Sequence, residues 1–437
     1  MYMEFLSIIG LVVAIVMLIV LAMRGWSILL VAPMLSILII LTSSMDLVGT
    51  LTGTFMAGFG GFATRFFLIF LLGSLFGKLM GDSGAAATIA HGILRIIGER
   101  SKIKVLFVLA AITGILTYGG ISVFIAVFAI MPIARPLCRE TDVPWPLFAG
   151  AVGFGMATFS MSMLPGTPQI NNVIPTSYLG TTLTAAPAIG IVASIVTIAV
   201  ALWWPNREIK VYDKKGLGYE ETKGTLANQV IEDKYNPQTN PPLLLSLAPS
   251  IVLLLALNVF KLNIILGLLL GVIASIVFLY KYNNNLFSSM NEGVLNSAMP
   301  LVNTCSVVGF GTVVGSTVGF KMLVDSLLNI PGPPLISFVI GTNIIAAITG
   351  SASGGLGIAM ETLVPRYIGL LNPEVMHRLG SIASSGLDAM PHNGAVVTTL
   401  VVLGLTHKVA YKPIFFTCVV APIVALVVAV IMALIMY

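Results

Sequence analysis

Long apolar runs, broken by short polar islands, set the plan of the chain. A membrane-crossing helix needs about 20 mostly apolar residues. Two such runs open the sequence, residues 5–23 and 27–43, joined by Arg24-Gly25-Trp26. The first follows Glu4 and not a cationic stretch, and no small-residue cleavage site comes after it, so it reads as a retained span and not a signal peptide. Residues 50–64 are rich in Gly and Phe, with a broken pattern that predicts a re-entrant or interfacial segment. Phe66 to Met80 is a further helix, followed by a helix-like Ala-rich piece, Ser83 to Ile97, and a basic connection at 99–104. Residues 105–133 are apolar except for TYGGIS (117–122), which predicts a helix broken near its middle or two half-helices meeting at a tip. The polar loop 135–144 leads into a run at 146–163; LPGTPQINNVIP (164–175) interrupts again, and 183–204 is another span.

Residues 205–242 have mixed charge, few apolar positions and a proline-rich end, and read as a soluble connector between two membrane halves. Spans at 243–260 and 263–280 follow, flanking Lys261, then a glycine-rich run at 303–320 and a break around AAITGSASGGLG (346–357). Next comes the most polar island of the second half, SIASSGLDAMPHNGAVVTTL (381–400), and a last span at about 413–436.

The halves share short identities in the same order. GSLFGKLM (73–80) matches GSTVGFKM (315–322) at four positions, AAITG recurs verbatim at 110–114 and 346–350, and LPGTP (164–168) stands where MPHNG (390–394) stands. This predicts an internal repeat, 1–204 and 243–437 around the 205–242 connector. Six Lys/Arg place the connector on the cytoplasmic side, as do Arg24 and the Arg95 to Lys104 cluster for the turns they flank. The first half then starts outside and the second inside, so the repeat is inverted and both termini lie outside.

Composition agrees. Of 437 residues, 57% are hydrophobic and 9% charged, against about 25% charged in soluble domains. The formal charge of +5 reports cytoplasmic loops and not a nucleic-acid partner. Cys138, Cys305 and Cys418 are far apart and have no CxxC spacing, so neither a disulfide framework nor a zinc site is expected. No phosphate loop, HExxH or nucleophile elbow occurs, and no cofactor is implied.

Inverted repeats with paired discontinuous helices point to a secondary transporter whose site lies near the bilayer midplane. A half-helix ending there presents unpaired N–H groups that suit an anion. The candidate contacts are Thr117, Gly119, Gly120 and Ser122 in the first break, and Pro165, Gly166, Thr167, Gln169, Asn171 and Asn172 in the second. The third contributes Ser351, Ser353, Gly354 and Gly355, and the fourth His392, Asn393 and Gly394. Gly and Ser also serve close helix packing, whereas buried Gln, Asn and His need polar partners. His392 and Asp388 form the expected proton-coupling pair, with Asp82 and Asp325 as rivals. His91, His377 and His407 read as interfacial. A membrane-embedded enzyme or a channel is the alternative class.

FGKLMGDSGAAATIA (76–90), LPGTPQINNVIPTSYLGTT (164–182) and SSGLDAMPHNGAVVTTL (384–400) resemble the gluconate permease (GntP) family of bacterial carboxylate symporters. The resemblance covers nearly the whole chain apart from the connector. It implies an all-helical homodimer in the bacterial inner membrane, with re-entrant hairpins in a mobile transport part that moves against a scaffold in an elevator-like way. It also implies proton symport of sugar acids or short hydroxy acids. The matched motifs carry Ser83, Pro165, Gly166, Thr167, Pro168, Asn171, Asp388, Pro391, His392, Asn393 and Gly394. The PHNGAVVTTL form is more similar to the 3-hydroxybutyrate permease branch, which makes a short hydroxy monocarboxylate the expected substrate. Gluconate or another sugar acid, with sodium in place of protons, is the runner-up.

Overall fold

Helix boundaries follow the apolar runs closely, with several mergers. The computed structural model describes residues 2–97, 101–118, 123–167, 169–224, 236, 238–260, 262–327 and 332–437, and among them there is no strand. The helices are α1 (Tyr2–Met23), α2 (Ile28–Thr42), α3 (Leu47–Asp82), α4 (Ala85–Ile97), α5 (Lys102–Tyr118), α6 (Val123–Glu140) and α7 (Trp145–Met163). Then come α8 (Ile170–Leu179), α9 (Pro187–Lys214), the short α10 (Tyr219–Thr222), α11 (Leu243–Asn258), α12 (Ile264–Leu279) and α13 (Leu286–Ser316). The chain ends with α14 (Val318–Leu327), α15 (Pro334–Thr349), α16 (Ala352–Tyr367), α17 (Pro373–Ala383), α18 (Gly394–Leu403) and α19 (His407–Met436). Among the described residues, seven helices are long and apolar enough to cross a membrane. This is a multi-pass membrane protein.

One expectation changes. Residues 50–64 are not re-entrant or interfacial: they run without interruption into the following helix as α3, with a π-helical stretch at Thr50–Phe55. Glycines that looked like breaks are places of close approach, since a Cβ on Gly58 would meet Thr312 and Val308 of α13. The glycine-rich run at 303–320 likewise belongs mostly to the 31-residue α13. Helix α9 continues to Lys214, past the span expected at 183–204. There Pro205 is buried and Trp204 stacks on Phe416 of α19 at 4.7 Å.

Packing interleaves the two halves. The first hairpin, α1–α2, packs on α14 and α13 of the second half, where Gly319 N donates to Ser7 Oγ at 3.0 Å. The α11–α12 hairpin packs on α4 and α3 of the first half. Ahead of α11, Thr88 Oγ1 donates to Pro241 O at 3.0 Å. Helices α3 and α13 run antiparallel through the centre: Phe55 lies at Gly309, and Ser74 Oγ donates to Gly293 O at 2.7 Å. Where they end, Lys78 pairs with Asp82 at 3.1 Å and Glu292 at 2.7 Å. One apolar core gathers Phe76, Leu106, Phe148, Leu268 and Leu400; the other gathers Leu18, Ile39, Phe310, Leu356 and Met376.

The start of the connector is docked and not free. Lys102 bridges Asp142 (3.1 Å) and Asp213 (2.8 Å), Arg139 pairs with Glu220 (3.0 Å), and Tyr219 N donates to Asp142 Oδ1 (2.9 Å). Partial burial raises the Asp142 carboxyl, but the Tyr219 N–H and Lys102 outweigh it and hold the group below its ordinary value.

Candidate functional site

The second and fourth breaks survive as irregular backbone between helices. The second spans Leu164 to Gln169, between α7 and α8, with Gly166 at φ +80°, a conformation that glycine adopts without strain. The fourth spans Ser384 to Asn393, between α17 and α18, with Gly386 at φ +111° and a single 3-10 turn at Leu387–Ala389. The third is tighter than expected. Gly350 ends α15 in the left-handed conformation, and Ser351 Oγ caps α16 by accepting from Gly354 N at 3.1 Å. Ser353, Gly354 and Gly355 therefore lie inside α16, and Gly355 packs against Ala346. In the first, Thr117 is helical and donates to Thr113 O at 2.8 Å; Gly119, Gly120 and Ser122 lie outside the described residues, as does Pro168.

Each of the four breaks meets residues of another. Gln169 Nε2 donates to Thr117 O, and Thr117 Oγ1 shares a hydrogen bond with Ser160 of α7. Asn171 Nδ2 donates to Ser162 Oγ and to Ser384 Oγ, both at 3.2 Å, while Ser162 and Ser385 share a further hydrogen bond. His392 Nε2 lies 3.0 Å from Ala347 O, and a Cβ on Gly350 would come within 2.5 Å of the His392 ring. A carbonyl can only accept, so Nε2 carries the hydrogen and the neutral ring's Nδ1 is an acceptor; that atom is buried and has no partner among the described residues. Asp388 holds different groups: Gly386 N donates to Oδ1 at 2.8 Å and Asn393 Nδ2 to Oδ2 at 3.4 Å. Asp388 and His392 do not hydrogen-bond each other among the described residues.

One polar face, on α17, lies outside the sites expected from the sequence. Along α17 and its end, Glu374, His377, Arg378, Ser381, Ser384 and Ser385 recur at helical spacing and all bond to residues 162–186. His377 and His407, expected at the interface, are both buried, His377 completely. His377 sits between Thr181 Oγ1 (2.6 Å) and Asn172 Oδ1 (3.1 Å), and His407 Nε2 donates to Pro391 O at 2.8 Å. Asn172 Nδ2 donates to Thr167 O and Leu183 O, each at 2.8 Å. Arg378 donates from Nε to Ala185 O (3.0 Å) and from Nη2 to Leu183 O (3.1 Å). A polar residue at every turn of an otherwise apolar helix is the signal that could have found this face. Of the rivals for Asp388, Asp82 belongs to the Lys78 ion cluster and Asp325 is exposed. Ser83 ends α3 and donates to Met80 O at 3.2 Å.

Residues 6–255 match the family model of GntP family permeases. The chain belongs to that family. An uncharacterized transporter of Bacillus subtilis (strain 168), YxjC, is 34% identical over 436 residues, covering 90% of this chain and 92% of that protein. An uncharacterized transporter of Haemophilus influenzae is 26% identical over 355 residues, 77% of each chain. A high-affinity gluconate transporter of Escherichia coli (strain K12) is 30% identical over 126 residues, 29% of this chain and 27% of that one. This GntP permease is thus a membrane transporter and not an enzyme.

Proposed function

We propose that this GntP permease carries a short hydroxy monocarboxylate, such as 3-hydroxybutyrate, across the inner membrane together with protons. The observation that carries the reading is the cluster where the helix breaks meet, because it leaves buried polar atoms unsatisfied. Among the described residues, Asn171 Oδ1 and His392 Nδ1 are acceptors without donors. Leaving such groups unpaired costs about 1–3 kcal/mol each, and a hydroxylated substrate would satisfy them. The carboxylate would be received by donors of the same cluster, with Gly166, Thr167, Gln169, Asn172, Ser351, Asn393 and Gly394 around it. His392, in turn, with Asp388, would exchange the proton.

Alternating access is supported by the order of elements. Each half runs through a helical hairpin, a long helix, a short helix, a helix pair, a broken helix and a final long helix. The pairing of α1–α2 with α13–α14 mirrors that of α11–α12 with α3–α4. Two inverted repeats, 1–204 and 243–437, together building a scaffold and a moving transport part in each subunit of a homodimer, account for this pattern. The connector would then be cytoplasmic and both termini outside. A sugar acid is the second reading, favoured by the similarity to a protein named a gluconate transporter.

Uptake of labelled 3-hydroxybutyrate into proteoliposomes, with gluconate as competitor, tests this. Accumulation is expected to follow an inward proton gradient and to be lost in His392→Ala, with some exchange retained. Uptake indifferent to the collapse of that gradient would remove the proton from the reading. Competition by gluconate alone would change the substrate.

A further inference from the structure

We infer that Arg378 supplies the fixed positive charge that receives the substrate carboxylate. This rests on the reading of the chain as a carboxylate carrier and deepens it. Arg378 is fully buried. Its Nε and Nη2 are spent on the carbonyls of Ala185 and Leu183, while Nη1 has no partner among the described residues. No carboxylate neutralises it there. Glu374, one turn earlier on α17, is exposed and accepts from Ala186 N at 3.2 Å.

Two physical points turn that observation into a site. A guanidinium is always charged and carries five donors in a rigid fork suited to carboxylates. A buried charge without a counter-charge is among the most unfavourable arrangements in a protein. The two carbonyl contacts fix the plane of the fork but supply only dipoles, so the resting protein retains a place for one anion. Its position belongs to the same interface as the breaks. Arg378 precedes Ser381 by one turn on the face that bonds to 162–186, and Ser381 Oγ donates to Ser162 O at 3.3 Å. Leu183 O, which Arg378 holds, also accepts from Asn172 and from Gly166 N at 2.9 Å. Binding of a carboxylate would neutralise the guanidinium and be felt directly by the backbone of the second break.

The test compares an anion with its neutral amide on the full-length purified protein. Thermal stabilisation by 3-hydroxybutyrate is expected at concentrations about tenfold or more below those needed with 3-hydroxybutanamide. Arg378→Gln keeps an N–H for a carbonyl but removes the charge, and is expected to bind acid and amide within about threefold of each other. Arg378→Lys keeps the charge and should keep the preference for the acid. A folded Arg378→Gln that still prefers the acid tenfold, or an Arg378→Lys that loses the preference as Gln does, overturns the assignment and leaves Arg378 as a residue that only positions the 180–186 loop. Should neither variant fold, the wild type decides: acetate is expected to raise its melting temperature and acetamide not, and equal effects overturn the inference. If wild-type protein binds neither 3-hydroxybutyrate nor gluconate while acetate still stabilises it, the substrate reading fails and Arg378 remains an anion site.

Discussion

The second and fourth breaks stand at the same place in the two halves, yet they are held in opposite ways. The fourth is satisfied largely by its own neighbourhood: Asp388 is bonded by Gly386 and Asn393, Asn393 Oδ1 caps α18 by accepting from Val396 N at 2.9 Å, and Tyr411 OH donates to Ala389 O at 3.1 Å. The second also borrows partners from the other half, through Asn171 with Ser384 at the head of the fourth break and Asn172 with His377 of α17. A locally satisfied break keeps its shape wherever its helix goes. A break satisfied across an interface is stable only while that interface is closed, so the second is the one whose geometry a bound substrate can alter.

Substitutions can break this contrast. Asn172→Ala should be the most damaging, because it strands His377 Nε2 and the carbonyl of Thr167, and takes one donor of several from that of Leu183. A loss of about 3 kcal/mol is expected, read from unfolding in detergent. Combining it with His377→Ala should add much less than the sum of the two singles. Additive losses would mean that the second break is not held across the interface. Asn393→Ala should cost about 1 kcal/mol, the value of a helix cap, and should combine additively with His377→Ala. Coupling between those two would remove the distinction between the breaks.

The smallest effect is expected far from both, at the connector clamp. Asp142 is held below its ordinary value, so its contribution is complete above the unfolded value of about 4 and is lost as the pH falls through the lowered folded value. With its side chain 63% exposed, screening leaves no more than a few tenths of a kcal/mol. Unfolding of Asp142→Asn should therefore differ slightly from wild type at pH 7 and converge with it in acid. A large loss at neutral pH would make the clamp part of the mechanism's frame.

Much of this was legible in the residues. The spans of α1, α2, α11 and α12 could be read within a few residues, because a continuous apolar run has one stable fate in a bilayer. The islands LPGTPQINN and LDAMPHNG were visible as irregular backbone, since Pro, Gly and unpaired amides cannot continue an apolar helix without help. At 50–64 the glycines are ambiguous in the sequence. The same residue that ends a helix in isolation permits close helix contact in a bundle, and only the presence of α13 at Gly58 decides which. His377 is the opposite case: a titratable side chain suggests an interface, and its burial depends on Thr181 and Asn172, 196 and 205 residues earlier.

The sequence by itself determined that this chain lives in a membrane, where its second and fourth breaks fall and which family it belongs to, because hydropathy, backbone chemistry and motif are local properties. Only the tertiary structure decided that the halves interleave, that the second break is held by the other half, and that a buried arginine is left with a donor to spare. Those follow from which surfaces meet, and an unsatisfied polar atom can be recognised only when everything that surrounds it is in place.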